Sequence, residues 1–281
     1  MTRRRVALAL LSTVALPSLQ SARAAEPLRV SVPQLLPSSH EHASYFLQLL
    51  QLALEKTRAS DGDFEIQQYE QPMSGPRQLT ELKNNGVINL IWNGSNSKRE
   101  AELLPVRFSL LRELNDYRVF LIRKDDQERF QAVRTLADLS RFTAGAGEGW
   151  PSTAVLRANG LPVVTSVGYE QLFRMLDARR FDYMPRGVYE AWFEQQQHSG
   201  LAIEQTLFLH YRVPFYFFTS RKNAALADRV ERGLRAALAD GSFDRLFRSI
   251  PSFRRSLDEI HAGKRRVLEL QLPPDGHVAK P

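Results

Sequence analysis

The sequence predicts an α/β fold made of two successive blocks, each alternating strand-like and helix-like segments. Three observations carry this. The chain opens, after an N-terminal apolar run, with a β-α-β-α-β pattern; a second alternation of similar length follows; and 281 residues suffice for one large or two medium domains with sizeable cores.

The first 24 residues are set apart from this pattern. Arg3, Arg4 and Arg5 precede a short run dominated by apolar residues over 6–16, and Ala22-Arg23-Ala24 ends in an A-x-A cleavage pattern. The expectation is an exported chain cleaved before Ala25. The run is too short for a membrane-spanning helix, and no Cys follows it for a lipid anchor. Without these residues four arginines and no acids are lost, so the net charge falls from +7 to +3. That balance gives no support to a nucleic-acid partner, and no nucleic-acid motif is present. With no cysteine, disulfide and thiolate chemistry are excluded.

Residues 28–32 alternate apolar and polar side chains as a strand does, with Pro33 after them. Tyr45, Leu49, Leu52 and Ala53 recur at helical spacing. Asp61-Gly62-Asp63 reads as a turn, 64–69 as a strand, 76–85 as a short helix stopped at Asn84-Asn85-Gly86, and 87–92 as a buried strand. In the second block, 117–122 reads as a buried strand and Thr135-Leu136-Ala137-Asp138 as a capping box. Gly145-Ala146-Gly147-Glu148-Gly149 reads as a glycine-rich turn before Trp150 and a helix over 152–159. A strand at 163–167, a helix marked by Tyr169, Leu172, Phe173 and Leu176, and a strand at Phe181-Asp182-Tyr183-Met184 running into Pro185 complete it. After an aromatic strand at 215–220, Leu226, Val230, Leu234 and Leu238 share a helical stripe. Asp240-Gly241 stops that helix, and Ser242 is expected to cap the next. The end of the chain, from Pro273, has little to bury and is expected to fray.

Several short patterns in this order resemble one family. The buried strand before a polar turn, then Lys98-Arg99 and Val106-Arg107-Phe108-Ser109, is similar to its strand, Ser/Thr turn, arginine helix and F-S segment. Thr135-Leu136-Ala137-Asp138-Leu139, Arg180-Phe181-Asp182, Asn223-Ala224-Ala225-Leu226 and Asp240-Gly241-Ser242 match further elements. Over roughly residues 28–270 the chain resembles the type II periplasmic substrate-binding proteins, specifically the amino-acid-binding-like group (solute-binding protein family 3) of ABC importers. The resemblance implies a two-lobed periplasmic protein: 25–115 plus 213–281 as lobe 1, 116–212 as lobe 2, and the chain crossing twice. Each lobe would be a mixed, mainly parallel sheet flanked by helices. A ligand in the cleft would draw the lobes shut because only the closed state touches it from both sides. The implied partners are a small-molecule ligand and either an ABC permease or a membrane sensor, with the protein acting as a monomer.

The same resemblance places Arg99 where the family carries the arginine that pairs with a ligand carboxylate, a task suited to a planar fork of donors; its alternative is a solvated helix arginine. Asn93, Ser95 and Ser97 lie in the preceding turn, on the side of the sheet that ligands favour. Trp92, Trp150 and Tyr45 are candidate cleft walls, with Trp92 equally suited to the core. Trp150 stands at a helix start where free N–H groups favour an anion. At Pro185-Arg186-Gly187 the sequence departs from the family, which usually has an aspartate for a ligand ammonium. Arg186 replaces it, with Glu190 one turn on either meeting an amine, pairing with Arg186 or serving as a first-turn acid. Arg99 and Arg186 together point to an anionic, carboxylate-bearing ligand that is not a simple neutral amino acid. No catalysis is expected. Glu148 and Glu190 sit in no catalytic motif, G-x-S-x-G and H-E-x-x-H are absent, and the six histidines are scattered. No metal or other cofactor is expected. A dehydratase on the same fold is the enzymatic alternative.

Overall fold

A computed structural model describes residues 26–35 and 41–273. The expected leader, 1–24, and all but the first residue of the expected frayed end lie outside the described residues.

The first block runs β1 (Leu28–Val32), α1 (Glu41–Lys56), the single turn α2 (Arg58–Asp61), β2 (Phe64–Gln68), α3 (Gly75–Lys83), β3 (Leu90–Gly94), α4 (Ser97–Glu102) and β4 (Leu104–Val106). The second runs β5 (Tyr117–Arg123), α5 (Gln127–Gln131), α6 (Leu136–Leu139), β6 (Ala144–Gly147), α7 (Pro151–Ala158), β7 (Val163–Ser166), α8 (Tyr169–Asp177), β8 (Met184–Gly187), α9 (Val188–Gln197), β9 (Leu201–Ile203) and β10 (Leu207–His210). The chain closes with β11 (Phe215–Thr219), α10 (Ala224–Ala239), α11 (Ser242–Ser249), α12 (Pro251–His261) and β12 (Arg266–Glu269).

The sheets are mixed. β1–β2, β6–β7 and β10–β12 pair in parallel. β11 lies antiparallel between β3 and β4, and β5 is antiparallel to β8, β9 and β10. The expectation of mainly parallel sheets is corrected along β5 and β11, the two strands that follow the crossings between blocks. Their neighbours run back toward the crossing and so meet them head to tail.

Most elements form where the residue pattern places them, and the differences have local causes. The capping box is present: Thr135 Oγ1 accepts from Asp138 N–H at 3.1 Å, and Asp138 Oδ2 accepts from Thr135 N–H at 3.0 Å. The glycine-rich segment divides: Gly145 and Gly147 lie in strand β6, where they make room for rings stacked on it, and the expected turn before Trp150 is confined to Glu148-Gly149, with Gly149 at a φ of 75°. The strand expected at 181–184 begins at Met184 and continues through Pro185. Ser242 does not cap α11; Gly241 holds that position, and the Ser242 hydroxyl bonds Asp240 Oδ1 at 2.6 Å.

A larger departure concerns the C-terminal segment. The sequence reading keeps 213–281 in the first lobe, yet β12 pairs with β10 in the second sheet, and Leu268 and Leu270 join the core around Phe120 and Tyr183. The chain therefore crosses a third time, through α12. Phe253 of α12 meets Tyr189 edge to face at 6.0 Å, Arg255 stacks 3.6 Å from the centre of Trp192, and the fully buried Ser256 donates to the Val188 carbonyl at 3.1 Å. Beyond α12, buried Arg265 bonds the Glu204 carbonyl and pairs with Glu259 at 2.7 Å.

The core of the first block centres on α1 against α10. Tyr45, Phe46, Leu49, Leu50, Ala53 and Leu54 are all buried there. At Gly233 a Cβ would fall 1.9 Å from the Ala53 carbonyl oxygen. Alanine ordinarily favours a helix over glycine by about 1 kcal/mol, but here the close approach of the backbones reverses the sign. Gly233→Ala is expected to lower stability by about 1–3 kcal/mol through overpacking, read as a fall in Tm by circular dichroism; an unchanged or raised Tm would contradict this packing.

Candidate functional site

The three crossings leave a cleft of about 420 Å³ between the blocks. On the first-block side it is lined by Asn93 and Gly94 at the end of β3 and by Phe215 at the start of β11. On the other side Trp150, Pro151 and Ser152 at the start of α7 face Tyr169, Arg186, Tyr189 and Glu190. Asn115, Arg118, Tyr211 and Val213, from the crossing segments, form its floor.

Four of the residues singled out in the sequence meet here: Asn93, Trp150, Arg186 and Glu190. The others do not. Arg99 is buried away from the cleft lining. Asn96 caps its helix by accepting from Arg99 N–H at 2.7 Å, and the guanidinium turns back to bond the Gly94 carbonyl, 6.0 Å from the Phe218 ring centre. Burial lowers its pKa to about 10. Tyr45 is core rather than wall: its hydroxyl donates to the Leu110 carbonyl at 2.7 Å and its ring packs against Phe46, Phe247 and Phe253. Trp92 stacks on Phe46 at 5.4 Å, on the core side of β3. Ser95 is buried, with its hydroxyl on Glu100 Oε1 at 2.6 Å and its N–H on the Pro214 carbonyl at 2.7 Å. With Ser97 it lines a smaller neighbouring recess.

Arg186 sits in a cluster that the sequence did not reveal. Its Nε donates to Glu194 Oε2 at 2.8 Å and its Nη2 to Glu194 Oε1 at 2.6 Å, while Glu190 Oε1 lies 3.1 Å from Nη2. Glu194 is only 1% exposed and also accepts from the Tyr169 hydroxyl at 2.7 Å. Glu190 Oε2 accepts from Gly187 N–H at 3.0 Å, closing the first turn of α9. Burial opposes the Arg186 charge, but Glu190 and Glu194 outweigh it and hold its pKa well above the usual arginine range. The Trp150 ring stands 4.7 Å from the same guanidinium. That ring packs so closely over Gly147 that a Cβ there would come within 2.1 Å of it.

Arg118 is the residue the sequence reading missed. Its signal was a single charge inside the apolar run 117–122. Nη1 donates to the Asn115 carbonyl at 2.6 Å and the Tyr117 carbonyl at 3.1 Å, and the guanidinium lies 4.9 Å from the Tyr211 ring centre. No carboxylate among the described residues comes within ion-pair distance of it, whereas Arg186 has two. The register pairs Arg118 with Gly187 and Arg186 with Val119, so the two guanidiniums leave opposite faces of one sheet. They do not come from opposing lobes, as Arg99 and Arg186 were expected to. Among the described residues no group of three His, Asp or Glu could hold a metal ion, and no helix is long and apolar enough to cross a membrane.

No family model and no curated protein matches the chain. Solved structures do. An amino acid ABC transporter substrate-binding protein from Streptococcus pneumoniae, bound to L-arginine, is 13% identical with a TM-score of 0.59, over 81% of this chain and 93% of its own. A Salmonella typhimurium periplasmic binding protein of high arginine specificity is 14% identical with a TM-score of 0.59, over 80% and 99%. The ancestral amino-acid-binding protein AncCDT-1, a precursor of cyclohexadienyl dehydratase, is 12% identical with a TM-score of 0.58, over 80% and 94%. The chain has the type II periplasmic-binding-protein fold. In this two-lobed fold the cleft just described lies between the lobes, with β5 and β10 flanking its crossings.

One acid at these crossings has a shifted pKa. Asp116, whose carbonyl accepts from Tyr211 N–H at 3.1 Å, is raised from 3.8 to about 6 by burial, with His210, Arg118 and Arg212 drawing it back. The folded state therefore binds this proton more tightly than the unfolded chain, so the contribution is favourable at low pH and is lost as pH rises through about 6. Asp116→Asn is expected to gain stability over the wild type between pH 4 and 7, by on the order of 1–3 kcal/mol at the upper end. Thermal melts across that range check it; a constant difference would show that Asp116 is not the group responsible.

Proposed function

We propose that this chain is an exported solute-binding protein whose cleft takes a small molecule with a carboxylate at one end and a cationic group at the other. The observation that carries the reading is the charge layout. Arg118 offers a positive pole with no carboxylate at ion-pair distance among the described residues, while Arg186 is met by two carboxylates, Glu190 and Glu194. A ligand carboxylate on Arg118 replaces water with charge-assisted hydrogen bonds in a partly dry cleft. The ligand's cationic group faces Glu190, which lines the same cleft. Trp150, Tyr169, Tyr189 and Phe215 supply ring surface for its apolar part.

This revises the anionic ligand expected from Arg99 and Arg186. Arg99 is turned away from the cleft and Arg186 is already neutralised, so a neutral zwitterion fits better than a doubly acidic ligand. The solved proteins of this fold that bind amino acids support the same class. Delivery to an ABC importer, or to a membrane sensor, is the role this reading carries, and the fold and the leader-like N-terminus support it. We place lobe 1 at 25–115 with 213–262 and lobe 2 at 116–212 with β12, and take the single chain as the working unit. Catalysis has little to draw on here. Glu190 is engaged by Gly187 and Arg186, and Glu148 is exposed and outside the cleft lining.

A thermal-shift screen of L-amino acids and related zwitterions, with calorimetry on the hits, tests this. Arg118→Gln is expected to weaken the best ligand on the order of 100-fold, the loss of about 2–5 kcal/mol typical of a buried charge pair deprived of one partner. Glu190→Gln is expected to weaken it less, because Glu194 keeps that wall neutral. Undiminished affinity in folded Arg118→Gln would overturn the assignment.

A further inference from the structure

We propose that Glu194, which does not line the cleft, sets the charge preference of the cleft: it occupies the bidentate edge of Arg186 and so turns a potential anion site into a wall. This rests on the reading of the cleft as a solute site and names the residue that governs which charge pattern the second wall accepts.

The geometry is specific. A guanidinium presents its most favourable two-point edge through Nε and one Nη. In Arg186 that edge is Nε and Nη2, and both Glu194 oxygens take it, at 2.8 and 2.6 Å. Glu190 adds its contact to Nη2 at 3.1 Å. The Trp150 ring stands 4.7 Å and the Tyr169 ring 5.7 Å from the guanidinium carbon. A second ligand carboxylate reaching this wall therefore meets a fork already occupied by Glu194 instead of an open one. Glu194 reaches Arg186 from two turns along α9, and the Tyr169 hydroxyl holds its Oε1 at 2.7 Å. Glu194 is thus a positioning residue. It is not itself exposed to the cleft and acts through two lining residues it holds, Arg186 and Tyr169, with the Trp150 indole over the guanidinium.

Removing its charge without changing its size exposes the prediction. In Glu194→Gln the two-point edge of Arg186 loses its carboxylate, and the guanidinium keeps Glu190 at 3.1 Å. Trp150, beside that guanidinium, reports the change through fluorescence quenching by iodide, a small anion, with neutral acrylamide as the measure of accessibility alone. In a Trp92→Phe/Trp192→Phe background, which leaves Trp150 as the one tryptophan, Glu194→Gln is expected to raise the iodide quenching constant about twofold, because the freed Nε/Nη2 edge of Arg186, with one carboxylate fewer beside it, concentrates anions locally. The acrylamide constant should stay level. Glu190→Gln should raise the iodide constant less, since Glu194 still holds the fork, and Glu194→Gln/Arg186→Gln should return it to the starting value. An unchanged iodide constant in Glu194→Gln, a parallel rise with acrylamide, a rise that survives loss of Arg186, or an equal effect from Glu190→Gln each overturns the proposal.

The wild type offers a second check that does not depend on any glutamate variant folding. The Arg186 Nε–H resonance, assigned by its loss in Arg186→Lys, should be protected from exchange with water; rapid exchange would show the fork to be open and the proposal wrong. Neither measurement needs the solute. Failure to find any ligand would count against solute binding, and these readouts would still decide the role of Glu194.

Discussion

A guanidinium at the edge of a buried sheet demands a counter-charge, and in this protein meeting that demand organises one wall of the cleft. Arg186 ends β8 at the mouth of the cleft and is 8% exposed. Left unpaired there, it would cost several kcal/mol, the scale on which breaking a buried pair destabilises a fold. Glu190 and Glu194, one and two turns into α9, answer it, and in doing so tie the end of the strand to the helix that follows. Tyr169 is drawn in through Glu194, and Trp150 packs over the guanidinium. Four elements, β8, α9, α8 and the start of α7, are thereby held around one ion cluster.

The same cluster explains the polarity of the cleft. Two arginines from neighbouring positions on paired strands leave opposite faces of the sheet, so they have different surroundings. Arg186 meets acids; Arg118 meets backbone carbonyls and the face of Tyr211. Carbonyl oxygens satisfy donors without cancelling charge. The result is a cleft in which one arginine is matched by carboxylates and the other by carbonyl oxygens, both from one sheet.

The third crossing constrains how the two blocks can move. In a fold joined only by two adjacent crossing segments, rotation about them meets little resistance. Here α12 lies against α9, with Ser256 on the Val188 carbonyl and Phe253 against Tyr189, before β12 adds itself to the second sheet. Val188 and Tyr189 belong to the first turn of the helix that borders the cleft. Any rotation of one block against the other therefore works against this seam.

The fold was legible in the sequence because its determinants are local. Alternation in 28–32, the helical stripe of α1, the Thr135 and Asp138 capping box and the Asp240-Gly241 stop each act within one or two turns of chain. The site was legible only in part. Trp150, Arg186, Asn93 and Glu190 lie near element ends, where sequence position already implies a cleft, but Arg99 and Tyr45 share that kind of position and are turned inward by Gly94 and Leu110. Arg118 stood out as a charge in an apolar strand without any mark of its partners. Composition and periodicity by themselves determined the α/β class, the two blocks and most of the elements, since hydrophobic spacing and caps depend on neighbours in sequence. Tertiary structure alone decided which arginine is neutralised, which aromatic rings face the cleft, and that the last strand returns to the second sheet. Those outcomes depend on register and on pairings between distant residues, which no local pattern encodes.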